Sequence, residues 1–325
     1  MNNIDVSIVI VSWNVGHFVK ECLLSILTNK EAAYEIIIVD NASEDNTVEY
    51  IERYWSSVIL IVNEKNLGFA HANNQGIQIA RGRYIVLLNP DTKVVGSAID
   101  TIVEFMDSQP EVGLAGGKLL NTDGTLQPSL REFPNPMRDF LYISGLTTVL
   151  RAIERRWLQP RPSKNTDTSE WRYHDGYVNG AFLIIPRNIV VEIGLLDERY
   201  PLYFEEVDLC YRVLGNGHRI AYYPSAEVIH YGGQSSSQIG AKSHRLYIMS
   251  LFLYYRKFYS VSRVRKARLA VFLGAGLRFF FFSLGSIGSA KAFSRHISTC
   301  FTLTRAACSR LASDSKALPL NHNTD

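Results

Sequence analysis

Polar and charged side chains follow each of the first four apolar segments of this sequence. In chain order these polar segments are Ser12-Trp13-Asn14, Asp40-Asn41-Ala42-Ser43, 63–68 (NEKNLG) and Asn89-Pro90-Asp91. Asp91 suits a divalent cation, because Mg²⁺ prefers one or two carboxylates together with phosphate oxygens and water. A phosphate bound here would need such a counter-charge, since the glycine-rich patterns GxGxxG and GxxxxGK(S/T) are both absent. The residue types therefore predict a phosphate site assisted by a metal ion.

The elements that must position these side chains alternate between strand and helix. Strands are predicted at Val6–Val11, Ile36–Val39, Val58–Val62 and Tyr84–Leu88, with helical periodicity over 16–29, 44–54 and 69–80. This alternation indicates an α/β fold with a mainly parallel sheet. The strands are apolar at every position, which is typical of a sheet covered on both faces. Because ligands bind at the carboxyl ends of parallel strands, we expect the four polar segments to form one site.

Regular structure is also predicted farther along the chain. Helices are expected at 97–108 and 187–193, with regular structure over Tyr177–Pro186 and Leu202–Leu214. Residues 123–176 are rich in Pro, Arg and Trp, which predicts loops with one helix near 137–156.

Charge divides the chain into two parts. Its 325 residues are 46% hydrophobic and 20% charged, which excludes a mainly disordered or collagen-like protein. The segment 228–313 contains thirteen Lys and Arg but no Asp or Glu, whereas residues 1–227 carry a net charge of −9. None of the four cysteines forms a CxxC pair, which argues against a zinc ribbon. The N-terminus lacks a basic signal-peptide region, so a reducing, cytoplasmic location is expected.

Seven segments together resemble the family 2 glycosyltransferases, and most closely their rhamnosyltransferase-like bacterial branch. They are VSIVIVSWN, IIIVDNASEDNT, NEKNLGFAHANNQGI, YIVLLNPDT, VNGAFLIIPR, GLLDERYPLYFEEVDLCYR and HYGGQSS. The resemblance covers roughly residues 4–260. It implies a GT-A fold that binds a nucleotide-diphosphate sugar, uses Mg²⁺ or Mn²⁺, and inverts the anomeric configuration.

The resemblance also implies roles for particular residues. In the family, matching positions bind the nucleotide sugar, and here they are Ser12, Trp13, Asn14, Asp40, Asn66, Gly68 and Asn89. Asp40 is similar to the carboxylate that bonds the pyrimidine, and Ser12 with Trp13 to the wall around base and ribose. Asn66 and Gly68 match the turn near the sugar diphosphate.

Metal-binding and catalytic roles are implied in the same way. Asp91 resembles the metal-binding aspartate of the DXD element, in which Asn89 replaces the first carboxylate. His230 matches a downstream histidine that completes the metal site in some relatives. The family's Glu-Asp pair, which ends in the catalytic base, falls on Glu205-Glu206, so the base here is a longer side chain.

Several of these residues have structural alternatives. Asp40 could cap the following helix, since Asp is favoured there. Trp13 could be an ordinary core aromatic, and Asn66 with Gly68 only a tight turn. Arg131 could lie near the acceptor or could anchor a loop.

The acidic segment and the histidine also have alternatives. Glu205, Glu206 and Asp208 could form the solvated first turn of a helix, where acids are favoured. For Asp208 a structural role is expected. His230 by itself could be a structural histidine.

The rear of the chain is basic and then apolar. Residues 245–268 mix Arg and Lys with Tyr and Phe, and 267–290 are apolar apart from Arg278. An anionic membrane surface fits this pattern better than nucleic acid does, because basic side chains are attracted to lipid head groups. Arg278 favours an interfacial or re-entrant helix over a spanning one, and a buried helix or oligomer contact is the alternative.

The domain prediction follows these features. We expect a GT-A catalytic domain over 1–240, with a nucleotide-binding half (1–120) and an acceptor half (121–240). Basic and apolar helices that associate with the membrane are expected over 241–305, and a flexible tail over 306–325.

The predicted function is inverting, metal-dependent glycosyl transfer at the cytoplasmic face of the membrane. The enzyme would extend a lipid-linked polysaccharide or O-antigen intermediate from a pyrimidine-nucleotide sugar, with deoxythymidine-diphosphate rhamnose implied by the resemblance. A nucleotidyltransferase is the enzymatic alternative, although the Gly-rich basic loop after the first strand is missing. A non-catalytic sugar-nucleotide-binding partner of a synthesis complex is the other alternative.

Overall fold

The computed structural model of the protein describes residues 4–28, 33–147, 170–232 and 242–285. The tail at 306–325, the distal part of the apolar segment (286–290) and the second half of the helix expected near 137–156 lie outside these residues. Element labels below number the helices and strands of the described residues in chain order.

A large mixed sheet forms the centre of the front part of the chain. Its strands are β1 (Val6–Ser12), β2 (Tyr34–Asp40), β3 (Ile59–Val62), β4 (Tyr84–Leu88), β5 (Thr92–Val94), β6 (Val112–Leu120), β7 (Leu126–Gln127), β9 (Arg172–Tyr173), β11 (Phe182–Pro186) and β12 (Arg219–His230). The main order is β3-β2-β1-β4-β11-β6-β12-β5. A separate pair joins β8 (Leu130–Arg131) to β10 (Tyr177–Val178).

Helices connect and flank these strands. They are α1 (Gly16–Leu27), α2 (Thr47–Tyr54), α3 (Phe69–Ile79), α4 (Ala98–Ser108), α5 (Pro136–Ile143), α6 (Arg187–Ile193), α7 (Glu205–Gly215), α8 (Lys242–Phe258) and α9 (Val261–Gly285).

Both faces of the sheet are covered, as the continuous apolar strands predict. On β1, Ile8 and Ile10 pack with α1 and α4 in one buried cluster, whereas Val9 and Val11 pack with α3 in another. This alternation follows from the two-residue period of a strand. The β3-β2-β1-β4 part is parallel throughout.

The sheet also has features that the sequence pattern did not predict. β11 runs antiparallel between β4 and β6, and the twelve-residue β12 pairs in parallel with β6. β12 contains Pro224, and its register against β6 shifts between Tyr223 and Glu227. Proline cannot donate to the ladder, so this strand accommodates it at an irregularity.

Two helix starts differ from prediction for local reasons. α2 begins at Thr47 rather than 44, where the Thr47 N–H bonds to Asp45 Oδ1 (3.1 Å). α7 begins at Glu205 rather than near Leu202, because Tyr203 and Phe204 have left-handed φ angles of 62° and 75°.

The chain divides into two compact units. One comprises Met1–Phe133 and Pro162–Ser243, and the other Pro134–Arg161 and His244–Asp325. In the second unit α9 packs closely on α5: a Cβ at Gly274 would lie 3.1 Å from the carbonyl oxygen of Phe140. No helix within the described ranges is both long and apolar enough to cross a membrane.

Candidate functional site

The parallel register of the sheet brings the first two polar segments together. Ser12, the last residue of β1, pairs with Asp40, the last residue of β2. The Ser12 hydroxyl donates to Asp40 Oδ2 at 2.9 Å. The chain then continues from both strand ends into loops at the carboxyl edge of the sheet.

Asp40 is fully buried and strongly hydrogen-bonded. Besides Ser12, it accepts bonds from the backbone N–H of Ser43 (2.8 Å) and from the Ser43 hydroxyl (2.6 Å). Asp40 does not cap α2, which begins seven residues later at Thr47. The carboxylate instead shapes the loop that follows β2.

The same loop is tied to the end of β1 through Asn14. The Asn14 N–H donates to the Ser43 hydroxyl (2.9 Å), and Asn14 Oδ1 accepts from the Glu44 N–H (2.7 Å). Asn14 and Ala42 both have positive φ angles, 53° and 65°. Trp13 directly follows the end of β1 and is half-buried.

Asn41 organises the turn before α3. Its side-chain oxygen accepts from the Leu67 N–H (2.9 Å), and its Nδ2 donates to Asn66 Oδ1 (3.0 Å). Gly68 has a φ of 90°, which a residue with a side chain rarely adopts. Asn66 and Gly68 are therefore parts of a built turn attached to the end of β2. Asn41 was not singled out from the sequence, although it lies directly beside Asp40.

Asp91 and His230 meet at the end of β12. The Nε2 atom of His230 lies 3.5 Å from Asp91 Oδ1 and 3.5 Å from Nδ2 of Asn89. Both side chains of the Asp–His pair are nearly buried. The Tyr231 N–H also donates to the Asp91 carbonyl at 3.0 Å.

Gln127 determines which nitrogen of His230 faces the aspartate. His230 Nδ1 lies 2.7 Å from Gln127 Oε1, while Gln127 Nε2 donates to Asn121 Oδ1 (3.1 Å). This amide orientation makes His230 Nδ1 the donor to Gln127 and leaves Nε2 as the ring nitrogen that faces Asp91. The sequence analysis missed Gln127, whose signal is only its register position on β7.

The Asp91–His230 pair fits a divalent cation in its donor chemistry. One carboxylate and one imidazole nitrogen, held by a second hydrogen-bonded residue, are a usual donor combination. Two metal–ligand bonds of about 2.1 Å can join atoms that are 3.5 Å apart. Within the described part of the chain, no third His, Cys, Asp or Glu joins them.

Glu205 and Glu206 form an acidic pair at the start of α7, in which Glu205 is buried and Glu206 is half-buried. Burial raises the pKa of both carboxyls, and the charge of Glu206 raises that of Glu205 further. The charge of Arg131 opposes the rise for Glu206. Oε2 of each residue is buried and has no hydrogen-bond partner among the described residues. The alternative of a solvated helix start does not fit this burial.

The segment before this pair is strained and held by α7. Tyr203 and Phe204 are the left-handed residues, and the preceding Tyr200 donates its hydroxyl to Asp208 (3.1 Å). Asp208 also accepts from Arg212 Nε (2.6 Å), which confirms its structural role.

Gly180 and Ala181 connect the acidic pair to the Asn89-Pro90-Asp91 segment. The Asn89 N–H donates to the Ala181 carbonyl (3.0 Å). A Cβ at Gly180 would lie 3.3 Å from Cβ of Glu206. A single stretch of backbone, the VNGA segment, thus lies between the Asp91–His230 pair and the Glu205–Glu206 pair.

Arg131 lies on the small β8–β10 pair. It faces Tyr177 in the register, and its carbonyl oxygen is 2.8 Å from Nε2 of His174. Its side chain is exposed while its charge acts on Glu206. This placement is compatible with both roles suggested for it.

Comparisons with known proteins agree with this arrangement. A family model described as glycosyl transferase family 2 matches residues 7–189. The chain is 27% identical over 244 residues to an N-acetylglucosaminyl-diphospho-decaprenol L-rhamnosyltransferase of Mycobacterium tuberculosis, covering 71% of this chain and 77% of the relative. It is 25% identical over 258 residues to rhamnosyltransferase WbbL of Escherichia coli K12, covering 77% and 92%.

A solved structure shares the fold. The crystal structure of GalNAc-T7 with UDP, GalNAc and Mn²⁺ matches with a TM-score of 0.55 and 17% identity. The match covers 82% of this chain and 51% of that one, so this chain spans about half the length of that structure. The expected GT-A fold is confirmed.

Proposed function

Because the chain belongs to glycosyl transferase family 2, we propose that it transfers a sugar with inversion from a pyrimidine-nucleotide diphosphate to a saccharide or lipid-linked acceptor. One observation carries the mechanism. Glu206 of the Glu205–Glu206 pair lies against Gly180, whose neighbour Ala181 bonds to the segment that ends in Asp91. This arrangement supports a base, Glu206, and a cation-binding carboxylate, Asp91, on either side of one short backbone stretch.

Glu206 is proposed as the general base. In a single in-line displacement the acceptor oxygen attacks the anomeric carbon, its proton passes to the Glu206 carboxylate, and the nucleotide diphosphate leaves on the opposite side. The raised pKa of Glu206 suits this role, since a base accepts a proton best when its pKa approaches the working pH. No carboxylate nucleophile is needed, unlike in retaining glycosidases.

Asp91 and His230 are proposed to hold Mg²⁺ or Mn²⁺. A cation bound there would offset the negative charge of the departing diphosphate. Gln127 supports this role by orienting the His230 ring so that Nε2 faces Asp91.

The donor is proposed to bind at the ends of β1 and β2. Asp40, Ser12 and Asn14 shape this edge, and the exposed part of Trp13 offers a surface for the base. The names of two relatives support rhamnose as the transferred sugar, and one of those names supports a polyprenyl-linked acceptor. We infer deoxythymidine-diphosphate rhamnose as the donor and cell-surface polysaccharide synthesis as the process.

We also propose peripheral association with the cytoplasmic face of the cell membrane. Support comes from one face of α9, where large apolar side chains are exposed at helical spacing: Leu269, Phe272, Leu273, Phe279 and Phe280. Arg265 and Lys266 are exposed on the same face, nearer the start of the helix. Basic and apolar side chains on one helix face suit an anionic lipid surface.

Flotation with phosphatidylglycerol vesicles tests the membrane proposal. The full chain is expected to float, and a Phe272→Ser, Phe280→Ser double variant is expected to remain in the dense fraction. Equal flotation of both proteins would refute this assignment of the face.

Release of nucleotide diphosphate tests the catalytic proposal. The full chain would be offered UDP-, dTDP- and GDP-sugars with a lipid-diphosphate saccharide acceptor, with and without Mn²⁺ or Mg²⁺. We expect metal-dependent release from one donor, reduced at least about 10²-fold in Asp91→Ala. Pyrophosphate as the product would instead indicate a nucleotidyltransferase. Nucleotide binding without turnover of any donor would favour a non-catalytic partner.

A further inference from the structure

We propose that Asn74 is a positioning residue that holds the loop leading into the proposed base, residues 195–204, against α3. The inference rests on the proposed function, because it concerns where Glu205 and Glu206 stand relative to the donor. Asn74 lies on α3, far along the chain from both carboxylates, and nothing in its residue type alone points to catalysis.

The side-chain amide of Asn74 makes two hydrogen bonds with the backbone of one loop residue, Leu196. Asn74 is 2% exposed; its Nδ2 donates to the Leu196 carbonyl (2.9 Å), and its Oδ1 accepts from the Leu196 N–H (3.0 Å). The side chain therefore pairs with the backbone as a neighbouring strand would. These two bonds fix the position and orientation of the Leu196 backbone relative to α3, at the point where the loop leaves α6.

A second contact extends the hold by two residues. Asn74 Nδ2 also lies 2.9 Å from Glu198 Oε1, and the other oxygen of Glu198 is 2.8 Å from His71 Nδ1. His71 and Asn74 are three residues apart on α3, so they share one face of the helix. Both bonds to Glu198 lower the pKa of its carboxyl, with the Asn74 bond as the larger cause.

The other end of α3 belongs to the turn assigned to the donor. The helix starts directly after Gly68, whose N–H and carbonyl bond to the side chains of Asn66 and Asn41. Asn74, which binds Leu196, is therefore the sixth residue of the helix that begins directly after the turn at Gly68. A rigid element of about 1.5 Å per residue transmits that spacing directly.

The loop needs an external hold because its carboxyl end is under strain. Tyr203 and Phe204 are left-handed, and two carboxylates follow them, each with one buried oxygen that has no hydrogen-bond partner among the described residues. Relaxation would let these carboxylates reach water, and such strain persists only where surrounding contacts over-determine it. The contacts from α7 do not fix the loop to the donor side: Arg212 binds the carbonyls of residues 193–195, and Asp208 binds Tyr200.

The matched pair Asn74→Ala and Asn73→Ala tests the proposal. Asn73 is the neighbouring buried asparagine, but its amide donates to Phe69 within the same helix. We expect Asn74→Ala to lower kcat about 10- to 10²-fold, because small misplacements of reacting groups have such effects. The dissociation constant for nucleotide diphosphate is expected to stay within about twofold, since α3 and its turn remain intact. Asn73→Ala is expected to keep the wild-type kcat.

Hydrogen exchange gives a readout that does not depend on turnover. The Leu196 amide loses its acceptor in Asn74→Ala, so its exchange is expected to accelerate together with that of residues 198–206. If these amides exchange in Asn74→Ala at the same rates as in Asn73→Ala, the proposed hold of Asn74 on the loop is refuted.

Exposed variants keep the test valid even if Asn74→Ala does not fold. Glu198→Ala removes the second contact at a residue whose side chain is 47% exposed. Glu192→Ala breaks a similar exposed pair with His218, again at 47% exposure. We expect a lower kcat for Glu198→Ala, recovery in Glu198→Gln, which keeps an acceptor for Asn74, and no change for Glu192→Ala.

Two outcomes separate failure of the inference from failure of the function. If the wild-type chain releases no nucleotide diphosphate from any donor, the proposed function fails. If the wild type is active and the kcat of both Asn74→Ala and Glu198→Ala matches their controls, the positioning role is overturned and the function stands.

Discussion

Two acidic sites of the protein, Asp40 and the Glu205–Glu206 pair, are built in opposite ways. Asp40 is surrounded by three hydrogen-bond donors, two of them from Ser43 and one from Ser12. Glu205 is also buried and Glu206 is half-buried, yet each keeps one buried oxygen without a hydrogen-bond partner among the described residues. The first carboxylate is stabilised by its surroundings, and the second pair is destabilised by them.

The difference shows what each site can do. A satisfied carboxylate fixes loop geometry, because removing it would leave buried donors unpaired. An unsatisfied one is held in a state in which accepting a proton is favourable, which is the property of a general base. Backbone strain occurs beside both sites, at Asn14 and Ala42 in one and at Tyr203 and Phe204 in the other. Strain alone therefore does not distinguish the proposed binding site at Asp40 from the proposed catalytic pair, whereas hydrogen-bond satisfaction does.

Substitution of Glu206 is expected to have the largest effect. Glu206→Gln keeps the shape of the side chain but cannot accept the acceptor's proton, so turnover is expected to fall by about 10²-fold or more. Steady-state release of nucleotide diphosphate measures it, with circular dichroism and nucleotide binding as controls of the fold. Near-native turnover would show that the base is assigned wrongly, and Glu205 would then be the next candidate.

Removal of Asp40 is expected to reduce stability. Asp40→Ala leaves the donors of Ser12 and Ser43 without their acceptor, which corresponds to a loss of about 1–3 kcal/mol in the free energy of unfolding. Urea denaturation measures this value. Asp123→Ala is the matched control, because Asp123 accepts two similar bonds from Thr125 in an exposed turn. Equal losses of stability in the two variants would contradict the expectation that buried donors cost more than exposed ones when they lose their acceptor.

The pH dependence of turnover distinguishes a buried base from an exposed one. Since burial raises the pKa of Glu206, the base is protonated and inactive up to a higher pH than an ordinary glutamate. We expect kcat to rise with pH through an apparent pKa above about 4.3, falling roughly tenfold per unit below it. An acid limb at or below that value would contradict the assignment.

The smallest expected effect is a gain in stability. The folded-state pKa of Glu205 lies above its unfolded value, so protonation favours the fold and stability declines as pH rises through the folded pKa. Glu205→Gln removes this decline and is expected to add about 0.5–1 kcal/mol at pH 8 and less at pH 5. Thermal unfolding at the two pH values measures the gain, and a loss that grows with pH would refute it.

Much of the front sheet could be predicted from the sequence. The apolar runs of β1, β2 and β4 and the polar residues after them are local sequence patterns. They predicted the bounds of these strands to within one or two residues, and the polar residues at the strand ends. The antiparallel insertion of β11 and the long β12 could not be predicted, because strand neighbours depend on long-range pairing and Pro224 interrupts the apolar pattern of β12.

The candidate site divides in the same way. Asp40 and Asp91 were found because their types and positions after apolar segments indicate chemistry, and the Glu205–Glu206 pair was found through the resemblance to the family. Gln127 and Asn74 were not, since an amide side chain acquires its role only from the partner that the fold places opposite it.

The sequence by itself therefore determined which residues can bind a cation, accept a proton or end a strand, because these properties belong to the side chains and their immediate neighbours. Only the tertiary structure decided that Asp40 is satisfied while Glu205 and Glu206 are not. Hydrogen-bond satisfaction and desolvation depend on residues that are distant along the chain, and the difference between these two sites arises from them.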